Sequence, residues 1–330
     1  MTAPRGPAYA RILSVGGYRP SRVLTNDDVV AAGLDSSDDW IRERSGITER
    51  RFAGPEETVP DMAAAAAEKA LAASGVPADR IGMVLLGSMS HHAGYPAAAA
   101  EVAHRIGAVN AAAMDLGAAC AGFCYALATA RDMVVAGSAE YVLVVGSEKM
   151  SDIIDPTDRG TAFIFGDGAG AVVVGPSDIP AMGPVVWGSD GGAREAIMQS
   201  QSWFSFRDNG GEFPTMRMQG QQVFRWAVGD VSKVAVEALA ASGLTPADLD
   251  VFIPHQANIR ITDAMLRTLK LPDHVKIARD IVTSGNTSAA SIPLAMERML
   301  EAGEISSGDT ALVIGFGAGL AYAALVVTVP

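Results

Sequence analysis

The segment ALAASG occurs twice, at Ala70–Gly75 and Ala238–Gly243. Both copies run within a few residues into Pro-Ala-Asp and an apolar stretch, IGMVLLGS from Ile81 and DVFIP from Asp250. A second echo follows in the same order: GDGAGAVVVG from Gly166 and GFGAGLAYAALVV from Gly315 are each a glycine turn feeding an apolar run. One match in alanine-rich sequence is compatible with chance, but two in register point to a duplicated unit. GPSDIPAMGP interrupts the pattern around Pro176–Pro184, so the expected halves are 1–176 and 177–330. Within each half, apolar strands such as YVLVVGSE from Tyr141 and ALVIGF from Ala311 alternate with helical patterns such as Met62–Ser74 and Gly229–Ser242. That alternation predicts an α/β fold with parallel sheets covered by helices. Ligand sites then belong at the carboxyl ends of strands.

Composition narrows the function classes. The chain has 330 residues, 49% of them hydrophobic, and a formal net charge of -12. It can bury a large core, and its acidity argues against a broad nucleic-acid surface. The start, MTAPRGPAYARILSVGGY, lacks the charged opening and apolar run of a signal peptide. No later window reaches eighteen uninterrupted apolar residues, so a cytoplasmic enzyme without a membrane partner is expected.

Both cysteines fall in LGAACAGFC, Leu116–Cys124. A single close pair in a reducing compartment is poor evidence for a disulfide, and C-x3-C without a second pair of ligands is poor evidence for zinc. Cys120 stands where a short strand gives way to a helix carrying Phe123, Leu127, Ala130 and Val134 on one side. A helix start favours the thiolate. The segment alone leaves Cys120 open between nucleophile and buried thiol, while Cys124, one turn further in, reads as buried. His255 in PHQAN follows the strand DVFI, and Asn286 in TSGNTSAAS sits in a glycine-containing loop before IPLAMERML. A thiolate that attacks a carbonyl, with neutral His and Asn amide donors for the oxyanion, makes coherent chemistry. Papain-like proteases use the same three residue types, but AACAGFC lacks their C-G-[SA]-C-[WY] signature.

Taken together, LGAACAGF, DPTDRGTAFIFGDGAGA, PHQANIRI, GNTSAASIP and GFGAGLAY strongly resemble the beta-ketoacyl-[acyl-carrier-protein] synthase III family, from about Ala10 to Val329. The resemblance implies a thiolase-like fold, two duplicated halves in a five-layered α-β-α-β-α arrangement, and a homodimer. It implies that Cys120 accepts an acyl group from acyl-CoA and that malonyl-acyl carrier protein then decarboxylates and condenses with it, starting a fatty acid or polyketide. His255 and Asn286 would stabilise the enolate oxygen, and the backbone amides of Cys120 and Ala318 the acyl oxyanion. No cofactor and no metal is implied beyond these substrates. In SSDDWIRERSG, Ser37 or Asp38 caps a helix on which Trp40 and Arg44 share a face. With Arg159 in DPTDRG these match the family's CoA site. Gln256, Ala257, Asn258, Ile259 and Arg260, with Arg225 and Arg267, match or adjoin positions that meet the acidic carrier protein. Tyr95 in SHHAGYP, supplied across the subunit interface, and Phe316 would line the acyl pocket and restrict it to short chains. The rival from another class is a catalytically silent subunit, which would be expected to lose Cys120. An acyltransferase of secondary metabolism using the same cysteine without condensation is the alternative activity.

Overall fold

Two five-stranded sheets carry the repeat. In a computed structural model, which describes residues 6–330, the first sheet is ordered Tyr9–Tyr18, Gly168–Ser177, Tyr141–Glu148, Ile81–Gly87, Ala112–Leu116. The second is ordered Val186–Ser189, Ala321–Thr328, Thr310–Gly317, Val251–Pro254, Lys276–Ile277. Read along these orders, each sheet makes two antiparallel contacts and then two parallel ones. The five opening residues, which include the start of the expected first half and of the leader reading, lie outside the described residues.

The sheets are therefore mixed, not parallel throughout as the alternation predicts. The reason is the glycine turn. GFGAGLAYAALVV has no room for a crossover helix between Gly317 and Ala321, so its second run folds straight back beside Thr310–Gly317. In the first half the same return passes through the long loop 149–167, which carries Arg159.

Helices complete the layers. Val59–Ser74 and Ala98–Arg105 cover the outer face of the first sheet. Ser232–Ala241 and Ile259–Leu269 cover the outer face of the second. Gly122–Ala136 and Ser291–Glu301 lie between the sheets and touch both, which gives the five-layered α-β-α-β-α thiolase-like fold. Val59–Ser74 forms because an alanine-rich run is bounded by signals at both ends. Thr58 and Asp61 make a reciprocal capping box, and Gly75 closes the helix at a positive φ of 67°.

Of the described residues, Ala119–Ala136 alone form a helix long and apolar enough to cross a membrane. Its apolar face is used within the protein instead. Phe123, Leu127, Ala130 and Val134 have no exposed surface and pack against strands of both sheets. Burying the larger of these contributes roughly 1.5 to 3 kcal/mol per side chain. This central helix fixes the position of the residue at its start.

Candidate active site

Cys120 lies in a tight turn, Ala119–Ala121, between the strand Ala112–Leu116 and the helix Gly122–Ala136. Ala119, just before it, is held at φ 45°, a left-handed conformation that a residue with a Cβ adopts at some strain. Gly317 closes over the turn. A Cβ there would stand 2.8 Å from the Cys120 Cβ and 3.0 Å from its Sγ, so only glycine lets the strand end approach this closely. Cys120 keeps 8% of its surface exposed, and its Sγ lies within hydrogen-bonding distance of the Ser288 hydroxyl at 3.3 Å. Burial pushes its thiol up to about 12, with Ser288 pulling the other way and the Glu148 carboxylate adding to the rise. That is opposite to the direction expected from the helix start, because the turn is enclosed by protein on nearly all sides. Cys124 is fully buried, and burial pushes it up to about 12 as well. Both cysteines are free.

His255 follows the buried strand Val251–Pro254 and is tied to the sheet by its N–H, which donates to the Ile314 carbonyl at 2.7 Å. Its Nδ1 pairs with the Ser291 hydroxyl at 2.8 Å, leaving Nε2 as the ring atom for a ligand. Burial pulls its pKa down to about 3, so the ring is neutral near pH 7. Phe316 stands edge-on to it, with ring centroids 5.3 Å apart. Asn286 is held by backbone bonds on both sides: its N–H donates to Ile164, and its carbonyl accepts from Gly166. The side-chain Oδ1 accepts from the Ser288 N–H at 2.8 Å, which commits the oxygen and leaves the amide NH2 as the donor. Arg50, fully buried, secures the facing loop by donating to the Phe163 carbonyl at 2.7 Å and to Asn26 at 2.8 Å.

One cavity of about 510 Å³ is lined by Cys120, His255, Asn286, Phe316 and Ala318, and also by Trp40, Arg44 and Arg159. Ser37, rather than Asp38, caps the helix Asp38–Ser45 through the Trp40 N–H. The Arg159 guanidinium lies 4.7 Å from the Trp40 ring centre and that of Arg44 5.6 Å, while Phe163 packs edge-on at 5.0 Å. The cavity thus joins an exposed cationic and aromatic end to a buried thiol. Among the described residues, no group of three or more His, Cys, Asp or Glu is placed to hold a metal ion.

Two family models match the chain: 3-oxoacyl-[acyl-carrier-protein (ACP)] synthase III over residues 114–191, and its C-terminal region over residues 239–329. The chain is 60% identical to beta-ketoacyl-[acyl-carrier-protein] synthase III 1 of Streptomyces coelicolor, covering 99% of this chain and 98% of that protein. It is 58% identical to the synthase III of Streptomyces glaucescens over the same shares. The crystal structure of the priming beta-ketosynthase from the R1128 polyketide biosynthetic pathway superposes with a TM-score of 0.97 at 45% identity, covering 100% of this chain and 98% of that one. The chain belongs to the 3-oxoacyl-[acyl-carrier-protein] synthase III family. It is a condensing acyltransferase with the thiolase fold.

The remaining expected positions divide. Arg225, Arg260 and Arg267 are exposed, and Arg225 and Arg260 border the cavity with Ala257 and Asn258. Asn258 caps the helix Ile259–Leu269 and donates to the Arg44 carbonyl at 3.0 Å, while Ile259 packs against Gly46. Gln256 must be taken out of the surface group. It is 1% exposed, its amide donates to the Pro254 carbonyl at 2.7 Å, and its oxygen accepts from the Ile281 N–H, so it serves the loop rather than a partner. Tyr95 is 90% exposed and does not line the cavity of its own chain.

Reading the sequence missed Ser288, Ser291 and Glu148. The serines stand inside the motif that yielded Asn286 and touch Cys120 and His255 respectively. Glu148 had its own signal, an acidic residue closing the mostly apolar strand Tyr141–Glu148 at its carboxyl end.

Proposed function

We propose that this synthase takes a short acyl group from acyl-CoA onto Cys120 and joins it to malonyl-acyl carrier protein with loss of carbon dioxide. The observation that carries the reading is the single cavity shared by Cys120, His255 and Asn286. In the first step Cys120 attacks the thioester carbonyl, and the N–H groups of Cys120 and Ala318 receive the oxyanion. Trp40, Arg44 and Arg159 hold the nucleotide end, a flat ring and two guanidiniums suiting an adenine and its phosphates. In the second step, carbon dioxide leaves and charge builds on the malonyl thioester oxygen. Neutral His255, with Nδ1 accepting from Ser291 and Nε2 carrying the proton, donates to that oxygen together with the Asn286 amide.

The wider reading is of the same kind. The carrier protein, acidic like this chain, meets the local Arg225, Arg260 and Arg267 patch with Ala257, Asn258 and Ile259 at its edge. The enzyme works as a cytoplasmic homodimer without a cofactor, and its halves divide as 1–176 and 177–330.

His255→Ala and Asn286→Ala separate the two steps. Both variants should still acquire acyl mass from acetyl-CoA. Each should release carbon dioxide from malonyl-acyl carrier protein at least about a hundredfold more slowly, since one oxyanion donor is worth on the order of 3 kcal/mol. Undiminished release by both would refute the assignment, and loss of acylation with decarboxylation intact would reverse the roles.

A further inference from the structure

Cys120 faces a difficulty that the two-step reaction does not resolve. Its thiol is enclosed, and burial, with the nearby Glu148 carboxylate, opposes loss of the proton. Among the described residues, one hydrogen-bonded path of side chains leads away from the sulfur. Ser288 Oγ lies 3.3 Å from Cys120 Sγ and 2.8 Å from Glu148 Oε1. A hydroxyl has a single proton, so it donates to one neighbour and accepts from the other. With Glu148 ionised, Ser288 donates to the carboxylate and accepts from the Cys120 S–H. With Glu148 protonated on Oε1, the chain runs the other way and Ser288 donates to a thiolate.

The surroundings of Glu148 are built for that exchange. It has no exposed surface, and no cationic side chain among the described residues is bonded to it. Its Oε2 accepts from the Met89 N–H at 3.0 Å, the Ser90 N–H at 3.1 Å, the Ser90 hydroxyl at 2.5 Å and the Ser88 hydroxyl at 3.1 Å. The Ser90 hydroxyl accepts in turn from the Lys149 N–H, which commits its proton to Glu148. The Lys149 ammonium turns away to the Gly54 carbonyl at 3.0 Å and to Asp152 at 3.5 Å. Oε2 accepts from four donors, whereas Oε1 accepts from the Met89 N–H only at a longer 3.3 Å and faces Ser288 at 2.8 Å, so Oε1 is the oxygen placed to exchange a proton with Ser288. Ser288 is itself fixed at φ 48°, a second left-handed residue with a Cβ beside the thiol.

We propose that Glu148, acting through Ser288, takes the Cys120 proton when the nucleophile forms and returns it when condensation expels the sulfur. The inference deepens the acyl-transfer reading above and rests on it. In acylation the Cys120 S–H bond breaks and its proton passes to Ser288 Oγ as the Ser288 proton passes to Glu148 Oε1. The thiolate adds to the acyl carbonyl, and the departing CoA thiolate takes a proton from solvent. In condensation the carbanion left by carbon dioxide attacks the acyl carbon, the C–S bond to Cys120 breaks, and the proton returns from Glu148 by way of Ser288. One solvent proton is consumed per turnover, which balances acyl-CoA, malonyl thioester and proton against ketoacyl thioester, carbon dioxide and CoA. At no stage do a thiolate and a carboxylate stand ionised together in the enclosed space. Ser288 touches the reacting sulfur and is a catalytic residue in this scheme, whereas Glu148 acts through it.

The test reads the thiol directly, without substrate. Alkylation of Cys120 by iodoacetamide is followed from pH 6 to 10 by the mass of the Cys120 peptide in the wild type, Ser288→Ala, Glu148→Gln, Glu148→Asp and the double variant Ser288→Ala/Glu148→Gln. The wild type should react at neutral pH with a shallow pH dependence. Ser288→Ala and Glu148→Gln should each react at least about tenfold more slowly at pH 7 and then gain about tenfold per pH unit, as a thiol with no internal base does. The double variant should be no slower than either single one, and Glu148→Asp should recover part of the neutral reactivity. A purely structural role would lower stability without producing this shared pH profile. Wild-type profiles in both single variants, or loss in Glu148→Gln with Ser288→Ala unaffected, would overturn the proposal. A wild type that alkylates as described but never gains acyl mass would sink the acyl-transfer reading instead, so the two failures are distinguishable.

Discussion

His255 shows how burial selects a chemical role for a single residue. With its pKa pulled from 6.5 to about 3 by burial, the ring is a neutral hydrogen-bond donor rather than a cation. The same shift makes a stability prediction. The unfolded chain binds a proton here below about pH 6.5, whereas the folded chain binds none until about pH 3. The stability from this group is therefore whole above pH 6.5 and is lost as pH falls between the two values, by on the order of 1.4 kcal/mol per unit. Urea unfolding of the wild type and His255→Gln at a series of pH values from 7 to 4 should show a shallower acid loss in the variant. Parallel curves would contradict the buried neutral histidine. The sequence located this residue because a strand led straight into it. It could not locate Glu148 or Ser288 as partners of Cys120, because their contacts join positions 140 and 168 residues apart that only the assembled sheets bring together.

At the scale of elements, strand ends and helix starts meet at Cys120 with almost no spare volume. Gly317→Ala would place a methyl group 3.0 Å from the Cys120 Sγ. Overpacking of this kind typically costs about 1 to 3 kcal/mol, and here it also falls on the nucleophile. Thermal unfolding should shift downward and acylation should slow, whereas an unchanged acylation rate would show that the strand end is not set by this contact. The repeat was legible because each glycine turn and apolar run is local. The antiparallel return was not, since an apolar run after glycine reads equally well as a parallel or a returning strand until its connection is seen. Gln256 was misplaced for a related reason. Its neighbours Ala257 to Arg260 border the cavity or the surface, and nothing in PHQAN distinguishes the one side chain that turns inward.

For the whole molecule, the duplicated halves bring one cysteine from the first and one histidine and one asparagine from the second into a common cavity. Tyr95, exposed in the single chain, belongs to this scale because its proposed role needs a second subunit. In a dimer it should cap the acyl pocket of the partner, so Tyr95→Ala should speed acylation by hexanoyl-CoA and octanoyl-CoA with little effect on acetyl-CoA. Each methylene excluded by the ring is worth roughly 1 to 3 kcal/mol. An unchanged chain-length profile, or fast octanoyl transfer by the wild type, would remove Tyr95 from the pocket. The central claim is that Cys120 carries the acyl group between two substrates, and a pulse and chase followed by intact-protein mass tests it most directly. Acetyl-CoA should add one acetyl group to the wild type and to Cys124→Ala, and none to Cys120→Ala. Malonyl-acyl carrier protein should then remove that mass as acetoacetyl-carrier protein forms. Acyl mass on Cys120→Ala, or an acetyl group on Cys120 that malonyl-acyl carrier protein leaves in place, would contradict the account.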